Sequence, residues 1–326
     1  MEGSKSKKTL YYYYCAGNNI SHLVEGDINR MTKYNPVNMD IYALVDANDT
    51  SFSLTYKNGK WDKKKATLDM TKKSTVDRLF KNYEKNKETI FLFAGHGDAF
   101  SLQLESKKEQ ILTEMFGNMI CKFGPFDLII FDSCMMGSYE NLYALRNCTK
   151  YIMANNLYSF DIGFMNSKTL SILDSNLPLK KRCKKIINQT MKEVKMLNIP
   201  DEYNACLYQT DYAEQILKYL NEDIMIVAKK FNELNEYRIE INEKDDTSYF
   251  DMYRFLEDNI EFKNKTKLLK CINDSIVYFR SDRKTKLTGM SLCTKTDLYK
   301  YKVNYYEQSL FKKCKLLQLF AALHSI

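Results

Sequence analysis

The sequence predicts an α/β fold: a mostly parallel sheet flanked by helices, with a helical C-terminal extension. Strand-sized apolar runs such as TLYYYYCA, TIFLFA and FDLIIF recur between amphipathic helical stretches in the first half. These runs are apolar on both faces, as strands covered by helices on two sides must be. Helical periodicity dominates the second half.

Residues 8–16 (KTLYYYYCA) read as the first strand and 38–47 (NMDIYALVDA) as the second. SFSLTYKNGKW, 51–61, alternates with period two around Asn58-Gly59, a hairpin signal. Residues 69–84 place Met70, Val76, Leu79, Phe80 and Tyr83 on one helical stripe. A strand at 89–95, a short hairpin arm (FSLQLES), a helix at 109–122, a strand at 126–133, a helix at 138–147 and a strand at 150–155 follow. Beyond these, helices are expected over 166–175, 179–196, 211–235, 248–259, 263–279 and 306–324. Strand character recurs at 204–210 and at 287–295, where Gly289 interrupts it. The charged stretch 236–248 reads as a connector. The division that fits is an α/β core over 1–210 and a mainly helical region over 211–326, with a closing strand near 287–295 packed on the core.

Composition narrows the function classes. The formal net charge is +8, but acids are interleaved with the lysines along the chain. That pattern describes a solvated surface and predicts no nucleic-acid and no membrane partner. The longest apolar runs are strand-sized, too short to span a bilayer. The N-terminal stretch has charge but no aliphatic core of signal-peptide kind, so an intracellular, cytoplasmic location is expected. Nine cysteines, an odd number, include no CxxC pair, and there are three histidines. No zinc or other metal site is therefore expected, and the thiols suit buried packing in a reducing compartment. Phosphate-cradling loops of the GxGxxG and GxxxxGK[ST] types are absent, which argues against a nucleotide-binding protein.

Two apolar strands end in reactive residues. The strand 89–95 closes on Gly95-His96-Gly97, and 126–133 closes on Asp132-Ser133-Cys134. Ligands of open parallel sheets bind beyond the carboxyl ends of the strands, so neighbouring strands would place His96 and Cys134 in one crevice. Taken singly, a cysteine after an apolar strand is usually filler and a histidine a satisfied polar residue. Together, closing two similar strands in adjacent units, they read as a nucleophile and its acid–base partner. Glycine is scarce, 11 in the chain, yet two of them bracket His96. Gly97 would admit a substrate carbonyl to the main chain, and its N–H with that of Cys134 would form an oxyanion hole. A helix beginning near Ser138 would point its positive end toward Cys134 and, with His96, favour the thiolate.

FLFAGHG and DLIIFDSCMMGSYENLYAL closely resemble the histidine and cysteine motifs of the clostripain-like (C11) cysteine peptidases, relatives of caspases, gingipains and legumains. YYYYCAGNNI resembles that family's opening strand with its Asn-Asn pair, and YIMANNLYSFDIGF, NACLYQTDYAEQI and LTGMSLCTKT resemble later segments in the same order. The resemblance implies a caspase-like fold, a His96/Cys134 dyad with Gly97 in the oxyanion hole, and cleavage of peptide bonds after Lys or Arg. It implies an acidic pocket formed by Asp132 and, more approximately, Asp161, with Ser133 in the substrate-binding set. Positions 132 and 134 of an extended strand share one side, which independently sets an acid beside the nucleophile. Relatives are often activated by self-cleavage between the two motifs, where Lys107-Lys108 is the candidate. Some relatives use calcium, but no EF-hand-like loop occurs and no cofactor is needed. The alternative is a caspase-like protein that binds or scaffolds without catalysis.

Overall fold

The tyrosine-rich N-terminal strand lies inside the main sheet of the computed structural model. The structure describes residues 7–48, 50–104, 110–159, 163–165, 168–197, 203–222, 224–226, 249–281, 287–293 and 307–324. The first half holds strands β1 (Lys8–Ala16), β2 (Met39–Ala47), β3 (Phe52–Lys57), β4 (Lys60–Lys65), β5 (Glu88–Ala94), β6 (Gly97–Asp98), β7 (Ser101–Gln103), β8 (Gln110–Leu112), β9 (Phe126–Asp132) and β10 (Thr149–Ala154). Between them run helices α1 (Val24–Thr32), α2 (Lys73–Leu79), α3 (Thr113–Ile120) and α4 (Tyr139–Ala144). The second half adds α5 (Thr169–Asp174), α6 (Leu179–Met196) and α7 (Ala213–Leu220), with strand β11 (Asn204–Gln209). It continues with β12 (Ile224–Ile226), β13 (Tyr249–Asp251), α8 (Met252–Asn259), β14 (Ile260–Phe262), α9 (Lys265–Ser275), β15 (Ile276–Ser281) and β16 (Ser291–Cys293). Helices α10 (Ser309–Lys313) and α11 (Lys315–His324) follow.

Among the described residues, nine strands form one sheet in the order β15-β11-β10-β9-β5-β1-β2-β3-β4. The five central strands, β10 to β2, are parallel, and antiparallel strands flank them on both sides. Every residue of β1 is buried. Tyr11 and Tyr13 face one apolar layer with α2, α3, α4 and α7, while Tyr12 and Tyr14 face the other with α1, α5 and α6. A tyrosine buried this way needs a partner for its hydroxyl. Tyr13 donates to the Met70 carbonyl at 2.6 Å, and Tyr14 to the Asp27 carboxylate at 2.6 Å. The predicted hairpin is present, with Asn58 and Gly59 both at positive φ, the backbone a two-residue turn requires.

Several elements differ from the sequence reading. Residues 110–112 are a strand in a small sheet β6-β7-β8, and the helix expected from 109 begins at Thr113. The helix expected to Phe279 stops at Ser275, and Ile276–Ser281 becomes a strand beside β11. Its β-branched and aromatic residues satisfy either periodicity, and pairing with an available sheet edge decides. Of the expected closing strand, Ser291–Cys293 pair with β13, outside the main sheet, residues 287–290 are not strand, and 294–295 lie outside the described residues. The helix expected over 211–235 ends at Leu220, and the tail helix breaks at Cys314 into α10 and α11.

The cysteines are not all free thiols. Cys121 and Cys148 form a disulfide with their Cα atoms 4.7 Å apart. They stand 27 positions apart in the chain, and the fold brings the turn after α3 against the start of β10. Spacing alone cannot reveal such a pair. The other seven form no disulfide, and five of them are buried.

Candidate active site

Strands β5 and β9 are immediate parallel neighbours, with Ala94 opposite Asp132. Counting two residues beyond that pair on each strand reaches His96 and Cys134. Both side chains line one cleft of about 110 Å³ beyond the carboxyl ends of β1, β5 and β9. Asp132, Ser159, Asp27 and Tyr14 are among the other residues lining it. The spatial expectation set by the two strand ends is therefore met.

The main chain explains the sequence around the two residues. A Cβ on Gly97 would lie 2.7 Å from the Met136 sulfur, 2.9 Å from the Ser133 Cβ and 3.1 Å from the Cys134 carbonyl. The His96-Gly97 segment thus runs directly against the Ser133-Cys134 segment, and only glycine permits the approach. Met135, at φ 58°, turns the chain away from β9. The Tyr208 hydroxyl donates to the Gly137 carbonyl at 3.1 Å, and the Ser291 N–H donates to the same oxygen at 3.0 Å. Tyr249 donates to the Asp98 carboxylate. The C-terminal strands β13 and β16 therefore brace both reactive loops from behind.

His96 Nε2 meets the Asn19 amide oxygen at 2.6 Å. An amide oxygen only accepts, so Nε2 carries the proton and Nδ1 keeps the lone pair. Cys134 Sγ accepts the Ser159 N–H at 3.3 Å and donates to the Ser159 carbonyl at 3.7 Å. Burial pushes the Cys134 thiol up and lowers the His96 imidazole, so both favour their neutral forms. The expected help from the following helix does not prevail. Helix α4 has only six residues, and the Ser138 hydroxyl accepts the Asn141 N–H at its start.

Asp132 points into the same cleft. It accepts the N–H groups of Phe164 at 2.9 Å and Met165 at 3.1 Å, and the Ser159 hydroxyl at 3.5 Å. Burial nonetheless raises its carboxyl to about 6, against the lowering effect of those bonds and with a further push from the Asp27 charge. Ser133 does not join it. That side chain is 1 % exposed and packs beside Gly97, because successive residues of an extended chain face opposite sides. Asp161, Lys107 and Lys108 lie outside the described residues.

Asn19 entered the sequence reading only within an Asn-Asn pair, with no role assigned. Asp27, Tyr14 and Ser159 were not read as site residues. A polar pair directly after a buried strand, at the sheet end that carries His96 and Cys134, is the signal that points to Asn19. Among the described residues, no group of three or more His, Cys, Asp or Glu side chains is arranged to hold a metal ion. Among the same residues, no helix is long and apolar enough to cross a membrane.

Solved structures share this architecture. A C11 protease from Parabacteroides distasonis, described as an inactive zymogen, superposes with a TM-score of 0.73 at 13% identity, covering 96% of this chain and 99% of that one. A secreted C11 cysteine protease from Bacteroides thetaiotaomicron, iotapain, gives 0.74 at 13% identity over 95% of this chain and 99% of that chain. A secreted C11 cysteine protease from the same organism, in complex with an irreversible peptide inhibitor, gives 0.72 at 13% identity over 98% and 100%. At that identity they establish the caspase-like fold. No curated protein matches the chain. The model of the clostripain family, peptidase C11, matches residues 12–313. The chain therefore belongs to the clostripain family and is a C11 cysteine peptidase.

Proposed function

We propose that this peptidase cleaves peptide bonds after Lys or Arg with Cys134 as nucleophile and His96 as its acid–base partner. The observation that supports this most is the sharing of one cleft by His96, Cys134 and Asp132 at the ends of adjacent parallel strands. Because the resting pair is neutral, substrate binding precedes ionisation: the Cys134 proton passes to His96 as Sγ attacks the carbonyl carbon. Charge then develops on the carbonyl oxygen, where the N–H groups of Gly97 and Cys134 stabilise it. His96 returns the proton to the departing amine, and water, deprotonated by His96, hydrolyses the thioester. Asn19 holds the ring throughout.

Asp132 is the acid that receives the side chain before the scissile bond. An ionised carboxylate in a confined cleft favours a Lys or Arg cation. The test uses fluorogenic peptides ending in Lys, Arg or Gln, with Cys134→Ala as control. Hydrolysis by the wild type alone, after the basic residues alone, is the expected result. Cleavage that persists in Cys134→Ala would overturn the nucleophile assignment.

Self-processing at Lys107-Lys108 is part of the same proposal. A protein of similar fold is described as an inactive zymogen, and the dibasic pair matches the specificity proposed here. Mass spectrometry of wild type and Cys134→Ala after prolonged incubation checks it. A wild-type chain that stays intact while hydrolysing Lys- and Arg-ending peptides would exclude this step.

A further inference from the structure

The cleft beside Cys134 contains a second acid that comes from a different part of the fold. Asp27 sits on α1 and lines the same cleft as Asp132, together with Tyr14, Leu23 and Met165. Its side chain is 15% exposed. One carboxylate oxygen accepts the Tyr14 hydroxyl at 2.6 Å. Tyr14 is itself 2% exposed in the buried strand β1, so this donor is fixed in place. The other oxygen pairs with Arg30, one helical turn further along α1. Arg30 is 45% exposed and is not among the residues lining the cleft. Among the described residues, no lysine or arginine lines it, and the acids that do are Asp27 and Asp132.

We infer that Asp27 is a second specificity-determining carboxylate of this pocket, held by Tyr14 and partly neutralised in the free enzyme by Arg30. The inference rests on the proposed preference for basic residues. Two carboxylates in one small cleft repel each other, and a substrate ammonium or guanidinium between them removes that repulsion while gaining both attractions. Tyr14 keeps Asp27 turned toward the cleft, so the acid is arranged before substrate arrives. Arg30, outside the cleft on a long exposed side chain, supplies a positive charge that competes with the substrate's own. Removing the Asp27 charge and removing the Arg30 charge should therefore act in opposite directions on selectivity. A helix ion pair with only a structural role would shift stability and leave selectivity where it was.

The experiment measures kcat and KM for three fluorogenic peptides, identical except for Lys, Arg or Gln before the scissile bond. Asp27→Asn is expected to lower the ratio of basic to Gln cleavage by about 10- to 100-fold, mostly through KM. Arg30→Gln is expected to raise the same ratio by about two- to fivefold. Tyr14→Phe should lower it by less than Asp27→Asn. Calorimetric binding of a Lys-ending peptide to the Cys134→Ala protein, with and without Asp27→Asn, gives the same comparison without turnover. A ratio unchanged by both Asp27→Asn and Arg30→Gln overturns the inference while leaving a basic preference intact. If Asp27→Asn does not fold, an unchanged ratio in Arg30→Gln overturns it alone. A wild type that prefers the Gln peptide overturns the basic preference itself, and this inference with it.

Discussion

Asn19 and His96, 77 positions apart in the chain, are joined by a 2.6 Å hydrogen bond. The bond fixes the ring orientation and leaves Nδ1 as the nitrogen able to take a proton. Asn19→Ala frees the ring to rotate and to change tautomer. Its kcat should fall by about 10- to 100-fold with KM little altered. Steady-state kinetics on a Lys-ending peptide measures this, and an unchanged kcat would remove Asn19 from the site.

The neutral resting pair makes a prediction about alkylation. Burial raises the Cys134 thiol and lowers His96, so the thiolate is scarce at neutral pH in the absence of substrate. The rate of inactivation by iodoacetamide should climb with pH and level off only above the ordinary thiol range near 8.5. A rate already at its plateau at pH 6 would mean a preformed ion pair instead.

Asp132 predicts pH-dependent selectivity. Its carboxyl is raised to about 6, and protonation neutralises the group proposed to receive the substrate cation. In kcat/KM, which reports the free enzyme, cleavage after Lys should fall relative to cleavage after Gln as pH drops below about 6. Taking the ratio of the two substrates cancels the titration of His96, which both need. A ratio constant from pH 7 to pH 5 would separate Asp132 from substrate binding.

Gly163 seats the same acid. A Cβ there would overlap the Asp132 carboxylate, which accepts the neighbouring Phe164 and Met165 N–H groups. Gly163→Ala must turn that carboxylate out of place. Cleavage after basic residues should fall by about 100-fold, as misplacement by an ångström does elsewhere. Reactivity of Cys134 toward iodoacetamide, which needs no pocket acid, should fall far less. Equal losses in both would indicate general collapse of the loop.

Much of the sheet was legible because apolar runs in strands covered on both faces carry a strong signal. KTLYYYYCA, ETIFLFA and FDLIIFD became β1, β5 and β9 with nearly the expected bounds. Ile276–Ser281 was not legible, because its residues suit a helix end as well as a strand and only the free edge of β11 chooses. The same limit applies to the site. His96 and Cys134 could be found because each interrupts an apolar strand with chemistry a core does not need. Asp27 could not, since an acid between two strands is ordinary in sequence and nothing beside it marks a site. Cys121 and Cys148 carried no mark of their pairing for the same reason.

Local patterning thus sufficed for the central strands of the sheet and for which two residues end them reactively, since hydrophobic periodicity and glycine placement act over a few residues. Strand order, the meeting of Asn19 with His96, the placing of Asp27 and Asp132 in one cleft, and the neutral state of the thiol depend on contacts between segments distant in the chain. Those contacts, and the burial they impose on Cys134 and Asp132, exist only once the layers pack.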